Sequence, residues 1–276
     1  MSSPKSGQLL KHLILTMFTL LAIFPIYVML TASFKTREEF VSSPLSPLGR
    51  SVNFDAYRVV FNDQFVVWVR NSVILTGVAV PVTVAFAALA AWGLSRWDFR
   101  GRDLLLAGIV SLMVIPPAVL LVPLFTLGSF VRQISTYQWI ILIYVGFMLP
   151  LSIFILVIFF RTIPRSLLEA AEIDGASSVR CFRSIVLPLA SPPLVTIVVL
   201  NVLWVWNELL IALVFLQDSE KKTLMIGLSG LQGRFTVNVP VIMAGLTLAM
   251  IPVAVLYLFG QRYFQRGLVA GAIKGD

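Results

Sequence analysis

The chain has 276 residues, of which 58% are hydrophobic and only 12% charged, with a formal net charge of +8. Soluble domains carry about 25% charged residues, so this composition excludes an ordinary water-soluble fold and points to an integral membrane protein. The basic residues sit beside apolar runs, which fits anionic lipid and the positive-inside bias better than nucleic acid.

Taken in chain order, uncharged windows cover 13–34, 71–95, 104–131, 133–160, 184–207 and 235–261, and the fifth span is placed at about 187–216. Each exceeds the roughly 20 residues that cross about 30 Å of hydrocarbon, so six transmembrane helices are expected. The fifth is read as one helix continuing past Glu208. The first window follows Lys5 and Lys11 and is longer than the ~7–15-residue core of a signal peptide, so it reads as an uncleaved helix with His12 at the interface. Residues 33–68, with Pro44, Pro47 and Gly49, are expected to form an ordered external segment with little helix. The short connection 95–103 holds Arg96, Arg100 and Arg102 and is assigned to the inside. An even number of crossings then places both termini there.

The connection 161–188 is polar and longer than two membrane helices require. Helix-favouring Leu167, Leu168, Glu169, Ala170, Ala171 and Glu172 precede Gly175, a helix stop, and a second amphipathic stretch follows. Two short helices at an angle, lying on the membrane, are expected. Cys181, the only cysteine, rules out an internal disulfide and reads as a half-buried residue of this loop. Glu208 stands in an otherwise apolar segment, where a carboxylate costs about 2.5–3.5 kcal/mol and should face protein or water. It either lines a solute path with Trp204, Trp206 and Asn207 or packs between helices.

No G-x-x-x-x-G-K-[ST] loop, HExxH pair or Cys/His set is present. The run Leu228-Ser229-Gly230-Leu231-Gln232-Gly233-Arg234 resembles the signature of ATP-binding cassette ATPases. Without a phosphate-binding loop it reads as a chance Gly-rich turn.

Glu169-Ala170-Ala171, Asp174-Gly175-Ala176, Ile185 and Leu187-Pro188 resemble the EAA loop of ABC-importer permeases. Similar likeness runs through Asn53-Phe54-Asp55-Ala56-Tyr57, Arg70-Asn71-Ser72, Phe99-Arg100-Gly101-Arg102, Ile115-Pro116 with Pro123, Trp206-Asn207-Glu208 and the tail 261–275. Together these resemble the smaller permease of carbohydrate-uptake ABC importers. The resemblance implies an all-α, polytopic fold forming a single transmembrane domain over 1–276. It further implies ATPase coupling through Glu169, Ala170, Ala171, Asp174, Gly175, Ala176, Leu187 and Pro188, and an ATPase-contacting tail through Arg266, Gly267, Gly271 and Lys274. In this reading Ala170 and Ala171 seat a helix in a partner's cleft, Gly175 makes the turn, and Glu169 meets a basic residue. The alternative for the loop is a surface helix resting on lipid headgroups.

The implied partners are a second, homologous permease, a dimer of cytoplasmic ATPases and an external solute-binding protein. No cofactor is expected on this chain; ATP and Mg would be used by the ATPases. The implied location is a bacterial or archaeal cytoplasmic membrane, with both termini cytoplasmic. The open alternatives are a non-sugar cargo (polyamine, phosphate or amino acid) and an ion-coupled secondary transporter. Against the latter, no internal repeat is visible and one carboxylate lies within a span.

Overall fold

The computed structural model describes residues 5–47, 52–231 and 238–272. Every regular element in it is helical, and the chain divides into two compact units, one of residues 1–66 with 227–252 and the other of 67–226 with 253–276.

In the first unit, α1 (Lys5–Ser33) presents Leu13, Phe18 and Leu21 outward. A short α2 (Arg37–Ser42) follows, started by a capping box in which Thr36 accepts from the Glu39 amide and Glu39 accepts from that of Thr36. A third helix, α3 (Asp55–Val60), precedes α4 (Asp63–Arg96), and the Asn62 side chain accepts from the Phe65 amide at that start. Residues 33–68 are therefore more helical than expected. Local caps start α2 and α4 there, and the described backbone around Pro44 and Pro47 is not helical.

The Asn53–Tyr57 motif has a packing role. The Phe34 ring meets Phe54 at 5.4 Å and Tyr57 at 5.1 Å between centroids, and Asn53 donates its amide to the Phe34 carbonyl. Lys35 is only 2% exposed, and its ammonium donates to the carbonyls of Ser43, Pro44 and Ser46 at 2.8–3.0 Å. Burial pushes this ammonium below the usual lysine value, opposed by the nearby Glu39 carboxylate.

The second unit holds most of α4, then α5 (Arg102–Ser111), a 3-10 turn at Leu112–Val114 and α6 (Pro117–Phe130). The window 104–131, read as one span, is bent by 97° between these pieces. Pro116 and Pro117 lack amide donors, and Ile115 before them is extended, so the ladder cannot continue. α7 (Tyr137–Phe160) is a continuous helix. The polar connection forms α8 (Arg165–Ile173), α9 (Ser178–Cys181), a π turn at Phe182–Val186 and α10 (Leu187–Leu189). α11 (Ser191–Asn207) then leaves at 75°, with Pro192 and Pro193 in its first turn.

The fifth window is also interrupted: α11 ends before Glu208 and α12 (Leu210–Phe215) begins after Leu209. Beyond it come α13 (Leu224–Ser229) and α14 (Val239–Ala272). Among the described residues, four helices are long and apolar enough to cross a membrane, or up to six if each bent pair counts as one span.

Two buried clusters organise the second unit. One joins Leu75 of α4, Ile140 and Tyr144 of α7, and Ile211 and Phe215 of α12. The other joins Ala87, Ala88 and Ala91 of α4 with Leu156, Val157 and Phe160 of α7, and with Leu168, Cys181 and Val186 of the polar connection. The small alanines let neighbouring elements approach α4 closely. Cys181 is only 1% exposed, fully inside this cluster rather than half-buried, because α9 packs it against apolar side chains of α4 and α7. The Arg70-Asn71-Ser72 motif stitches a connection: Asn71 donates to the Glu220 and Lys222 carbonyls, and Ser72 accepts from the Leu224 amide.

Lys35→Met keeps much of the side-chain volume but leaves three carbonyls without their donor, a loss of about 1–3 kcal/mol for a buried group. The expected result is faster subtilisin cleavage within residues 37–47 in reconstituted membranes, with membrane insertion unchanged. Cleavage at the wild-type rate would show that the ammonium does not hold this segment.

Candidate functional site

The polar connection begins where α7 ends at Arg161, and Pro164 restarts the chain as α8. The end of α8 has a specific geometry. Gly175 adopts φ +80° and donates its amide to the Glu172 carbonyl at 3.0 Å. The Ala176 amide donates to the Ala171 carbonyl at 2.9 Å. These two bonds form a Schellman C-cap, in which a left-handed residue after the last turn satisfies carbonyls that the helix leaves open. A side chain at Gly175 would meet open space, so conformation and not crowding is what favours glycine there. Ser177 then caps α9 by accepting from the Arg180 amide.

With 100° per residue, α8 has two distinct faces. Leu168 is 6% exposed and Ala171 half-buried on the inner face, flanked by Arg165 and Glu172. The outer face carries Ser166, Ala170 and Ile173, the last 86% exposed, with Glu169 at its edge. Among the described residues Glu169 has no hydrogen-bond or ion-pair partner.

The expected coupling residues thus divide. Ala171, Ala176 and Leu187 pack against the second cluster, whereas Glu169, Ala170, Asp174, Gly175 and Pro188 remain exposed. Ala171, read with Ala170 as a small residue for a partner's cleft, turns partly inward instead, because the helical repeat separates adjacent residues by 100°.

Around this loop lies a set of charges whose pairing sequence reasoning missed. Arg96, at the end of α4, pairs with Glu172. Arg165 pairs with Asp98 at 2.9 Å, and Arg161 with Asp103 at 2.7 Å. Arg102 bonds Asp98 as well. Arg96, Arg102, Arg161 and Arg165 line a cavity of about 200 Å³ with Trp92 and Leu168. The Arg165 guanidinium, through its hydrogen bond and charge, and then Arg102 hold the Asp98 carboxyl below the usual carboxylate range. In sequence these arginines serve only as an orientation signal, since no spacing rule links residues about 70 positions apart.

The candidate solute-path residues do not converge. Glu208 accepts from the Tyr144 hydroxyl at 2.9 Å and from the Ile211 and Ala212 amides at 2.7 and 2.9 Å. It stands at a helix break, not within a continuous helix, and its carboxylate satisfies amides at the start of α12. Trp206 is buried, and the exposed Asn207 donates to the Leu203 carbonyl of its own helix. Trp204 alone of the four lines a cavity of about 670 Å³, together with Trp139, Phe147, Asn201 and aliphatic side chains of α6 and α7. Its ring packs edge-on against Tyr144 at 5.4 Å.

Trp139 and Phe147 were not singled out from sequence. Aromatic residues in apolar windows carry no signal that separates a cavity wall from a packing face. In the tail, α14 carries Arg266, Gly267 and Gly271 in its backbone, and Lys274 lies outside the described residues. Gln232, Gly233 and Arg234 of the Gly-rich run lie outside them too.

Residues 83–269 match the family of binding-protein-dependent transport system inner membrane components. The chain is 34% identical to the melibiose/raffinose/stachyose import permease protein MelC of Bacillus subtilis over 91% of each protein. It is 32% identical to the trehalose/maltose transport system permease protein MalG of Thermococcus litoralis, over 98% of this chain and 99% of that one. The fold superposes with a TM-score of 0.83, at 25% identity, on a bacterial ABC transporter involved in import of the acidic polysaccharide alginate, covering 96% of this chain and 99% of that one. The protein is accordingly a multi-pass inner-membrane permease of a binding-protein-dependent transport system, and is not itself an ATPase. With more than half of its length matched by the family and near full-length likeness to these permeases, the chain belongs to the inner membrane components of binding-protein-dependent transport systems.

Proposed function

We propose that the chain imports a sugar or oligosaccharide, forming the pore with a second, homologous permease. The observation that carries this reading is the near full-length likeness to MelC and MalG, whose names specify melibiose, raffinose, stachyose, trehalose and maltose. The α8 outer face, with Ala170, Ile173 and Glu169, which has no side-chain partner among the described residues, is the surface that docks on an ATPase. A small residue and an exposed apolar one suit a partner's cleft, and the carboxylate suits a basic neighbour. Closure of the ATPases on ATP would move this loop and the helices packed on it, opening the pore toward the binding protein. The N- and C-termini and residues 161–188 are assigned to the cytoplasm, and residues 217–224 to the outside. Trp204, in the wall of the larger cavity, offers a face on which a sugar ring stacks, while Glu208 holds the helix break in shape. The tail near Arg266 extends toward the ATPases.

The docking reading is tested with Gly175→Arg and Glu169→Ala in the assembled importer. A side chain at φ +80° costs about 1–2 kcal/mol. Loss of a desolvated carboxylate from an interfacial pair costs ~2 kcal/mol or more. Both variants are expected to lower ATPase retention on washed membranes about tenfold or more, with insertion unchanged. Full retention in both would leave the loop a lipid-facing linker. The solute is tested by asking which of labelled melibiose, raffinose, trehalose and maltose the cognate binding protein retains; retention of none argues for a non-sugar cargo.

With that sugar, Trp204→Ala is expected to slow uptake about tenfold and Trp204→Phe to restore most of it. Glu208→Ala should instead lower membrane-inserted yield and Tm. Equal uptake by wild type and Trp204→Ala would remove Trp204 from the path.

Orientation is best read with introduced cysteines in a Cys181→Ser background, since buried Cys181 is a poor target. An impermeant maleimide should label Gln217→Cys in intact cells and Arg180→Cys only after lysis. The reverse pattern would invert the topology.

A further inference from the structure

We propose that Arg96, Asp98, Arg165 and Glu172 form an ionic clamp that makes α8 and the turn between α4 and α5 move as one body, and that these four are positioning residues for transport. The inference rests on the coupling role proposed above for α8. Arg165 and Glu172 lie seven residues apart, which places them on one stripe of the helix about 10 Å apart along its axis. Glu172 reaches Arg96 at the end of α4, and Arg165 reaches Asp98 two residues further on. Between them Leu168 is 6% exposed and belongs to the same buried cluster as Trp92 and Phe160. One ion pair would act as a pivot; two pairs either side of an apolar contact fix the direction of the helix.

The main chain offers a weaker route for force. α8 is bounded by Pro164, whose φ and ψ of −58° and 131° are not helical, and by the left-handed Gly175. The side-chain route is braced instead. Arg102 bonds Asp98, Arg161 at the end of α7 bonds Asp103, and Gly101 at φ +88° sets the turn that presents Asp98. Exposed ion pairs singly stabilise little, and the Arg165 and Asp98 side chains are 65% and 59% exposed. Asp98 is, however, shared with Arg102, which also reaches Asp103, and the separate Arg96–Glu172 pair is held by an arginine only 20% exposed. Movement imposed on α8 therefore passes across these pairs into α4, a helix of 34 residues.

The test uses the whole importer in proteoliposomes, reading the retained sugar moved per ATP hydrolysed together with ATPase retention. Arg96→Glu and Glu172→Arg should each lower sugar moved per ATP about fivefold or more with retention unchanged, and the double swap should bring back at least half. In the Cys181→Ser background, the pair Asp98→Cys and Arg165→Cys should show the same deficit, reversed when a flexible bifunctional thiol reagent joins the two. Undiminished transport per ATP in both single variants, or a cross-link that abolishes transport where it should restore it, overturns the clamp. So does loss of retention in the clamp variants, which would make these residues part of the docking surface. Failure of the docking proposal is read independently, as full retention in Gly175→Arg and Glu169→Ala.

Discussion

The structure depends on an apolar footing beneath a charged loop. Leu168, Cys181 and Val186 are almost fully removed from solvent against Ala87, Ala88, Ala91, Leu156 and Val157. Burying a side chain of leucine size stabilises by about 1.5–3 kcal/mol, comparable to the docking losses at issue, so the loop is held firmly enough to transmit a load. The footing also decides which residues remain available outside. Once Leu168 and Ala171 face inward, the helical repeat leaves Ala170 and Ile173 facing out. A loop of the same charge without those apolar positions would rest on headgroups and carry no force into the spans.

A second constraint runs through the chain: backbone polar groups taken out of water need partners. Prolines at 116, 117, 192 and 193 interrupt the ladders of two segments, and each interruption is sharp. At the break before α12, Glu208 serves two amides and a tyrosine hydroxyl at once. Outside the spans, the Lys35 ammonium does the converse by donating to three carbonyls. Both charged residues are consumed by local architecture. A carboxylate with three donors has little capacity left for a further hydroxyl, so Glu208 fits the role of a cap.

These two constraints divide the labour of the permease. The larger cavity is walled mostly by leucine, methionine, isoleucine and aromatic side chains with Asn201 as its main polar group, so under the proposed solute path this chain offers stacking surface rather than a dense set of hydrogen bonds. Affinity for a hydroxyl-rich solute then has to come chiefly from elsewhere in the assembly. The charged chemistry is concentrated at the opposite task, around α8.

By itself the sequence determined the membrane class, the all-helical fold and the family likeness of the polar connection. Those features follow from local rules: apolar length against bilayer thickness, proline and glycine punctuation, and a dense run of matched residues from Glu169 to Pro188. The turn at Gly175 was legible because a left-handed cap is a property of a few consecutive residues. What only the tertiary structure decided are features made by residues distant in sequence. Arg96 meeting Glu172, Arg165 meeting Asp98 and Tyr144 meeting Glu208 join positions more than 60 apart. So does the burial of Cys181 against α4 and α7. The bends at Ile115-Pro116 and Ala190 belong between the two. Their prolines announce a weakness in the ladder, but the angles of 97° and 75° are read only from the structure.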